Sequence, residues 1–175
     1  MIVLIVFTGC GQNRITEKEE KKETVESEMN AEAKKAAQTF RSVYMKEKSE
    51  LNTLKVKRKI INCLEEKGYA AVDCDNQIDM VNREKVEEFC KAAEKEEQAA
   101  VDIVVVFDEG EIIQYHLESM NGKINVRLCQ VKWKDNSPQA NYYDEYEAYE
   151  WKYTEKGYLL SLIHISEPTR QEAIS

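Results

Sequence analysis

The first residues whose types and spacing point to chemistry are four carboxylates. Asp73, Asp75 and Asp79, with Glu84 eleven residues after Asp73, put acids at positions of a calcium-binding loop. Hard cations take such oxygens. The sixth position, however, is Ile78 rather than the glycine that makes the sharp turn, and the fifth is Gln77. Glu84 would also fall inside a helix that Asn82 is expected to N-cap. The competing reading is a polar loop whose Asp side chains cap their own turn, and no metal or other cofactor is assigned. His116 is the next candidate. Alternation puts it on one strand face with Gln114 and Glu118, opposite Ile113, Tyr115 and Leu117, which reads as an exposed strand histidine. There is no Gly-x-Ser-x-Gly elbow, His-Glu-x-x-His helix or glycine-rich phosphate loop. Aromatic residues crowd a third region. Tyr143, Tyr149, Trp151 and Tyr153 share a face by alternation. That face either packs on the helices or offers an outward strip to a glycan or partner protein.

One cysteine stands apart. Met1–Cys10 is a short apolar run ending in Thr8-Gly9-Cys10 and followed at once by polar chain. It is too short for a membrane span, which needs about 20 residues, but it suits a signal-peptide core. The pattern resembles the lipobox of bacterial lipoproteins. That resemblance implies cleavage after residue 9, a diacylglyceryl group on Cys10, and a place on the outer face of the bacterial cytoplasmic membrane. No Lys or Arg precedes the apolar run, so a basic segment is expected upstream of Met1. The alternative is a buried N-terminal strand of a cytosolic domain.

The far end carries an expectation of its own. Leu160-Ser-Leu-Ile-His-Ile-Ser-Glu-Pro-Thr-Arg170 back-translates to the transposase adapter of short-read libraries, which sets residues 160–175 apart as adapter-derived. On that reading His116 is the one native histidine, and the natural chain continues past Leu159. The formal charge of −8 becomes −7 without Glu167, Glu172 and Arg170. Such an acidic balance excludes nucleic acid as a partner, because phosphates need a basic surface. Beyond Cys10, the four cysteines Cys63, Cys74, Cys90 and Cys129 permit two disulfides in three connectivities, but they lack disulfide-scaffold density and zinc-knuckle spacing. The favoured reading is free, mostly buried thiols.

The elements that must position these groups follow from periodicity. Residues 10–30 are a lipidated cysteine and a Glu/Lys-rich tether with too little apolar surface to fold alone, although its latter half could extend the next helix. A helix over 31–46 buries Ala33, Ala36, Ala37, Phe40, Val43 and Tyr44. A second runs to Lys67, burying Val56, Ile60, Cys63 and Leu64, with Lys55, Lys57, Arg58 and Lys59 as a solvated face and Gly68 as terminator. A third, from Asn82 to about Lys95, buries Val86, Phe89, Cys90 and Ala93. From Ala99 the period becomes two. Strands through Val101–Phe107, Ile113–Leu117 and Ile124–Trp133 are joined by Asp108–Glu111 and by Asn121-Gly122, a hairpin signal. A phase slip from Leu128 to Val131 predicts a bulge near Cys129 and Gln130. Asp135–Pro138 reads as a turn, and a fourth strand is placed at Tyr149–Tyr153. The expected fold class is α+β: about three helices over residues 31–159 packed on an antiparallel meander of four or five strands, the sheet incomplete.

Lys67-Gly-Tyr-Ala-Ala-Val-Asp73, Asp75-Asn-Gln-Ile-Asp-Met80 and Trp151-Lys-Tyr-Thr-Glu-Lys-Gly-Tyr-Leu159 resemble an uncharacterised family of lipoproteins from Firmicutes-type, clostridial anaerobes. The resemblance implies a chain that runs on past the Gly-Tyr-Leu segment, and no activity. Together these readings give a lipid-anchored binding or scaffolding module at the cell envelope, meeting an envelope protein or glycan. The alternatives are an envelope hydrolase completed by missing C-terminal sequence, and a cytosolic domain.

Overall fold

A computed structural model describes residues 12–148, 150–153 and 159–162, with side chains described over 20–148. Within these residues, four α-helices and a five-stranded sheet make an α+β architecture, the helices lying mainly N-terminal to the strands. Helix α1 spans Gln12–Thr39. The charged stretch expected as a tether is thus helical, as its Glu and Lys content favours, and Met29 at its inner side is already buried. The chain breaks at Phe40 and continues as α2, Arg41–Lys46. Helix α3, Leu54–Glu66, starts behind Thr53, whose hydroxyl accepts from the Val56 amide at 3.3 Å. Gly68, at φ +82°, ends it.

Strand β1 is Ala70–Asp73, and helix α4, Arg83–Glu94, crosses back to β2, Ala99–Val106, which runs parallel to β1. The sheet is therefore mixed at its first edge. Four residues are too few to show a period, so this strand has no sequence signature. The rest is an antiparallel meander of β2, β3 (Ile112–Met120), β4 (Lys123–Lys134) and β5 (Ser137–Ala148). Asn121-Gly122 and Asp135-Asn136 form two-residue turns at positive φ, the geometry that matches strand twist. Strand β5 lies where the sequence reading saw only a turn and tyrosines. It is the sheet edge, acidic and partly exposed, so its alternation is faint, and Pro138 is tolerated there. Residues 150–153 and 159–162 form β6 and β7, a separate two-stranded ladder.

Each sheet face carries its own core. Helices α1 and α3 cover the inner face, where Phe40, Ile60, Ile61 and Leu64 meet Ala71, Val104, Val106, Ile112, Cys129 and Val131. Helix α4 covers part of the outer face, with Val86, Phe89 and Cys90 on Ala70, Val101, Ile103, Leu117, Ile124 and Val126. This explains the apparent phase slip in β4. Its pairing with β3 is unbroken, and the apolar residues simply change face where coverage passes from α4 to α1 and α3. The register does shift between Gln130 and Val131 against β5, with Asn141 as the extra residue of that strand. Trp133 pins the far end. Its ring stacks on Tyr44 at 4.0 Å, meets Phe40 edge-on at 5.8 Å, and its Nε1–H donates to the Gly110 carbonyl at 2.9 Å. Gly110, at φ +74°, has no room for a Cβ, which would lie 2.9 Å from the Tyr44 ring.

Candidate functional site

The loop after β1 holds the four acids picked out by spacing, and it does not bring them together. Asp73 is buried, and its carboxylate accepts from the backbone amides of Asp75 at 3.2 Å, Gln77 at 3.2 Å and Ile78 at 2.7 Å. Those bonds hold the turn and leave little of the carboxylate for a cation. Asp75 turns to Lys57 of α3, whose Nζ lies 3.0 Å from Asp75 Oδ2, 2.7 Å from Asp108 Oδ1 and 3.8 Å from Cys74 Sγ. Asp79 and Glu84 are exposed. Among the described residues no three His, Cys, Asp or Glu side chains converge as metal ligands.

Lys57 corrects the sequence reading. It was expected on a solvated face, yet it is buried, because it falls one turn before Ile60 and Ile61 on the side of α3 that meets the sheet. Burial disfavours its charge, but the bonds to Asp108 and Asp75 outweigh burial and raise its pKa. The hydrogen bond from Lys57 in turn holds Asp75 below the usual carboxylate range. This centre is an ammonium tying α3 to the ends of β1 and β2. Asn82 is a second correction. It stands before α4 at φ 49° without capping it, and its side-chain amide donates to the Tyr69 carbonyl at 2.8 Å and the Glu65 carbonyl at 3.3 Å.

A different polar tract lies at the other end of the inner face. Register places Asp102 of β2 opposite His116 of β3, and His116 opposite Arg127 of β4. His116 Nδ1 is 2.9 Å from Asp102 Oδ1. A carboxylate only accepts, so Nδ1 carries the proton of this contact. Gln114 Nε2 also donates to Asp102 Oδ1, at 3.4 Å. Burial pulls the Asp102 pKa up, but the bonds from His116 and Gln114 and the Arg127 charge prevail, and it is lowered. Arg127 reaches Glu118 at 3.4 Å. Tyr69 belongs to the same neighbourhood: burial, then the charges of Asp102 and Glu32, raise its pKa. Gln114 itself is 1 % exposed, and its Oε1 has no hydrogen-bond partner.

Two spaces adjoin this tract. Strand β1 begins opposite Ile103, so β2 has no strand beside residues 99–102 on that edge. A cleft of about 730 Å³ lies at the notch, and Tyr69, Phe89, Asp102, Lys67 and Lys85 are among the residues that line it. Beneath α1, a smaller cavity of about 200 Å³ is bounded by His116 and Arg127 below and by Val25, Glu28, Met29 and Glu32 above. No described thiol is activated to act beside them. Burial pushes Cys90 and Cys129 up to about 11 and raises Cys63 and Cys74, and all four are free.

The sequence of this folded unit matches the model of a family of unknown function, DUF6070, over residues 23–173. The chain belongs to that family. No curated protein and no solved structure matches it. The DUF6070 match takes in both ionic centres and both spaces, and it also takes in most of the segment set apart as adapter. Cys10 precedes the match and lies outside the described residues.

Of the aromatic strip, Tyr143 sits in β5 on the inner face, half-buried against the α1 core, with its hydroxyl donating to Glu145 at 3.2 Å. Trp151 and Tyr153 lie in β6, in the separate ladder, so the structure does not align them with Tyr143 along one strand. Their side chains, and Tyr149 altogether, lie outside the described residues. Spacing alone missed Asp102 and Arg127 as partners of His116. A usable signal existed: a turn centred on Glu109 folds Asp102 onto His116.

Proposed function

We propose that this chain is a binding domain of the bacterial envelope. A diacylglyceryl group on Cys10 holds it at the outer face of the cytoplasmic membrane, and the Asp102–His116 tract serves as its ligand site. One observation carries the binding role. The tract keeps a buried acceptor without a partner, Gln114 Oε1, and two spaces flank it, a cleft lined by Asp102 and a cavity bounded by His116 and Arg127. Buried polar atoms are ordinarily satisfied, so an unsatisfied one in a tract flanked by two spaces suits a binding role. The anchor rests on the Thr8-Gly9-Cys10 boundary and the polar chain after it. Metabolic labelling with radioactive palmitate tests it. The chain incorporates label and Cys10→Ala does not; equal labelling of both removes the anchor. For the site, the expected result is a ligand whose affinity falls in Asp102→Asn with the fold intact by circular dichroism. An Asp102→Asn variant that binds equally well places the ligand elsewhere.

A further inference from the structure

We infer that the cleft between α4 and the open edge of β2 binds a short extended peptide with a free C-terminal carboxylate. The site goes beyond the Asp102–His116 tract, because it is built on the backbone of β2 rather than on the tract's side chains. The ladder shows which backbone groups are open. The Cys74 N–H donates to the Val106 C=O at 2.9 Å, so Val106 faces β1. Alternation along an unbroken register turns Val104, Asp102 and Ala100 the same way. Strand β1 starts opposite Ile103, however, and its ladder stops there. Gly68, where the ladder would continue, gives its N–H to the Glu65 carbonyl, and its own carbonyl accepts from Lys85 Nζ. Among the described residues, then, no rung meets the Ala100 N–H and C=O or the Asp102 N–H, and both residues line the cleft. An open strand edge is a template for another extended chain.

The opposite wall and the two ends say which chain fits. Lys85, Glu88, Phe89 and Ala92 stand at i, i+3, i+4 and i+7, one face of α4, across from the β2 edge. At one end Lys85 meets Gly68, and Lys67 adjoins them. At the other end the Glu97 amide donates to the Ala92 carbonyl as the chain turns into β2. A guest running parallel to β2, as β1 does, brings its C-terminus to the end with Lys67 and Lys85. There a carboxylate meets two ammonium groups and the Asp102 N–H. Lys85 spends one N–H on Gly68, and an ammonium has three. Of the two carboxylates lining the cleft, Asp102 is bonded by His116 and Gln114, and Glu88 lies a turn along α4 from Lys85. Length and volume agree. At roughly 3.3 Å per residue, Ala99–Asp102 presents about 13 Å of edge. At the roughly 30 Å³ that a water molecule takes in the liquid, the volume of about 730 Å³ holds about 24 heavy atoms, room for a tripeptide.

Titration of the isotope-labelled full chain with trialanine, followed by proton–nitrogen correlation spectra, tests this, with trialanine amide in parallel. Saturable shifts are expected at the amides of Ala100, Asp102 and Ala92. Amidation of the peptide is expected to weaken binding about tenfold. The double variant Lys67→Gln/Lys85→Gln is expected to weaken trialanine by a similar factor and to leave the amide unchanged. Ala100→Pro removes an N–H on the cleft side, which a strand edge tolerates, and is expected to lose trialanine while the amides of β3 and β4 keep their positions. Should that variant fail to fold, the lysine pair and the amidated peptide still decide the matter. No saturable shift with trialanine overturns the inference, and so does an amide that binds equally well. Shifts confined to His116 and Arg127 place the peptide beneath α1, and the inference falls.

Discussion

The two ionic centres at the ends of the inner face have similar parts and opposite economies. At the β1 loop, Lys57 is closed in by Asp75 and Asp108, and Asp73 by three backbone amides. At the other end, Asp102 is bonded by His116 and Gln114, yet Gln114 Oε1 is buried without a partner, and His116 borders a cavity. A saturated centre holds segments together. A centre with an acceptor left over is not fully spent on the fold. The acids that spacing singled out belong to the first kind, which is why motif logic led to structural residues.

The comparison can be broken most severely at Asp73. Asp73→Ala strips three amides of their acceptor, and the expected cost is about 3 kcal/mol of unfolding free energy in urea titration. A loss under about 1 kcal/mol would mean the loop is held by something else. Lys57→Met comes next, at about 1–2 kcal/mol, because both carboxylates it abandons are exposed enough to hydrate. A variant as stable as the parent would deny this ammonium its tying role.

Acidity separates the centres less strongly. The Asp102 pKa is lowered on folding, so its contribution is complete above the unfolded value of about 3.9 and fades as pH falls through the folded one. The expected result is that Asp102→Asn flattens the loss of stability on acidification below about pH 4. Parallel curves for parent and variant would show that the His116 bond contributes nothing. The smallest effect is expected at Gln114→Leu. Replacing a half-satisfied buried amide with an apolar side chain should leave stability within about 1 kcal/mol of the parent. A large loss would place Gln114 among saturated, structural groups and remove the contrast.

What could be read ahead of the structure was what repeats locally. The stripes of α3 and α4, the alternation of β2 and β3 and the Asn121-Gly122 turn all depend on neighbours in sequence. Strand β1 stayed hidden because its parallel partner arrives only after α4. Strand β5 stayed hidden because an acidic edge alternates weakly. Lys57 looked solvated because its two acids lie 18 and 51 residues further along the chain. His116 looked exposed because a strand's face can be read from its own alternation, while what covers that face cannot. Here the cover is α1, from the opposite end of the chain.

That cover has a kinetic consequence. Two-residue turns let β3, β4 and β5 zip from local contacts, whereas α1 docks on strands about a hundred residues downstream; Asn30 meets Cys129 Sγ at 3.1 Å. The helix is therefore expected to join late in folding and to leave first in native-state opening. Hydrogen exchange would show it as amides of residues 20–39 exchanging ahead of those in β3 and β4. The space above His116 exists only while α1 is docked, so a guest there would slow α1 exchange and leave the sheet's own rate unchanged.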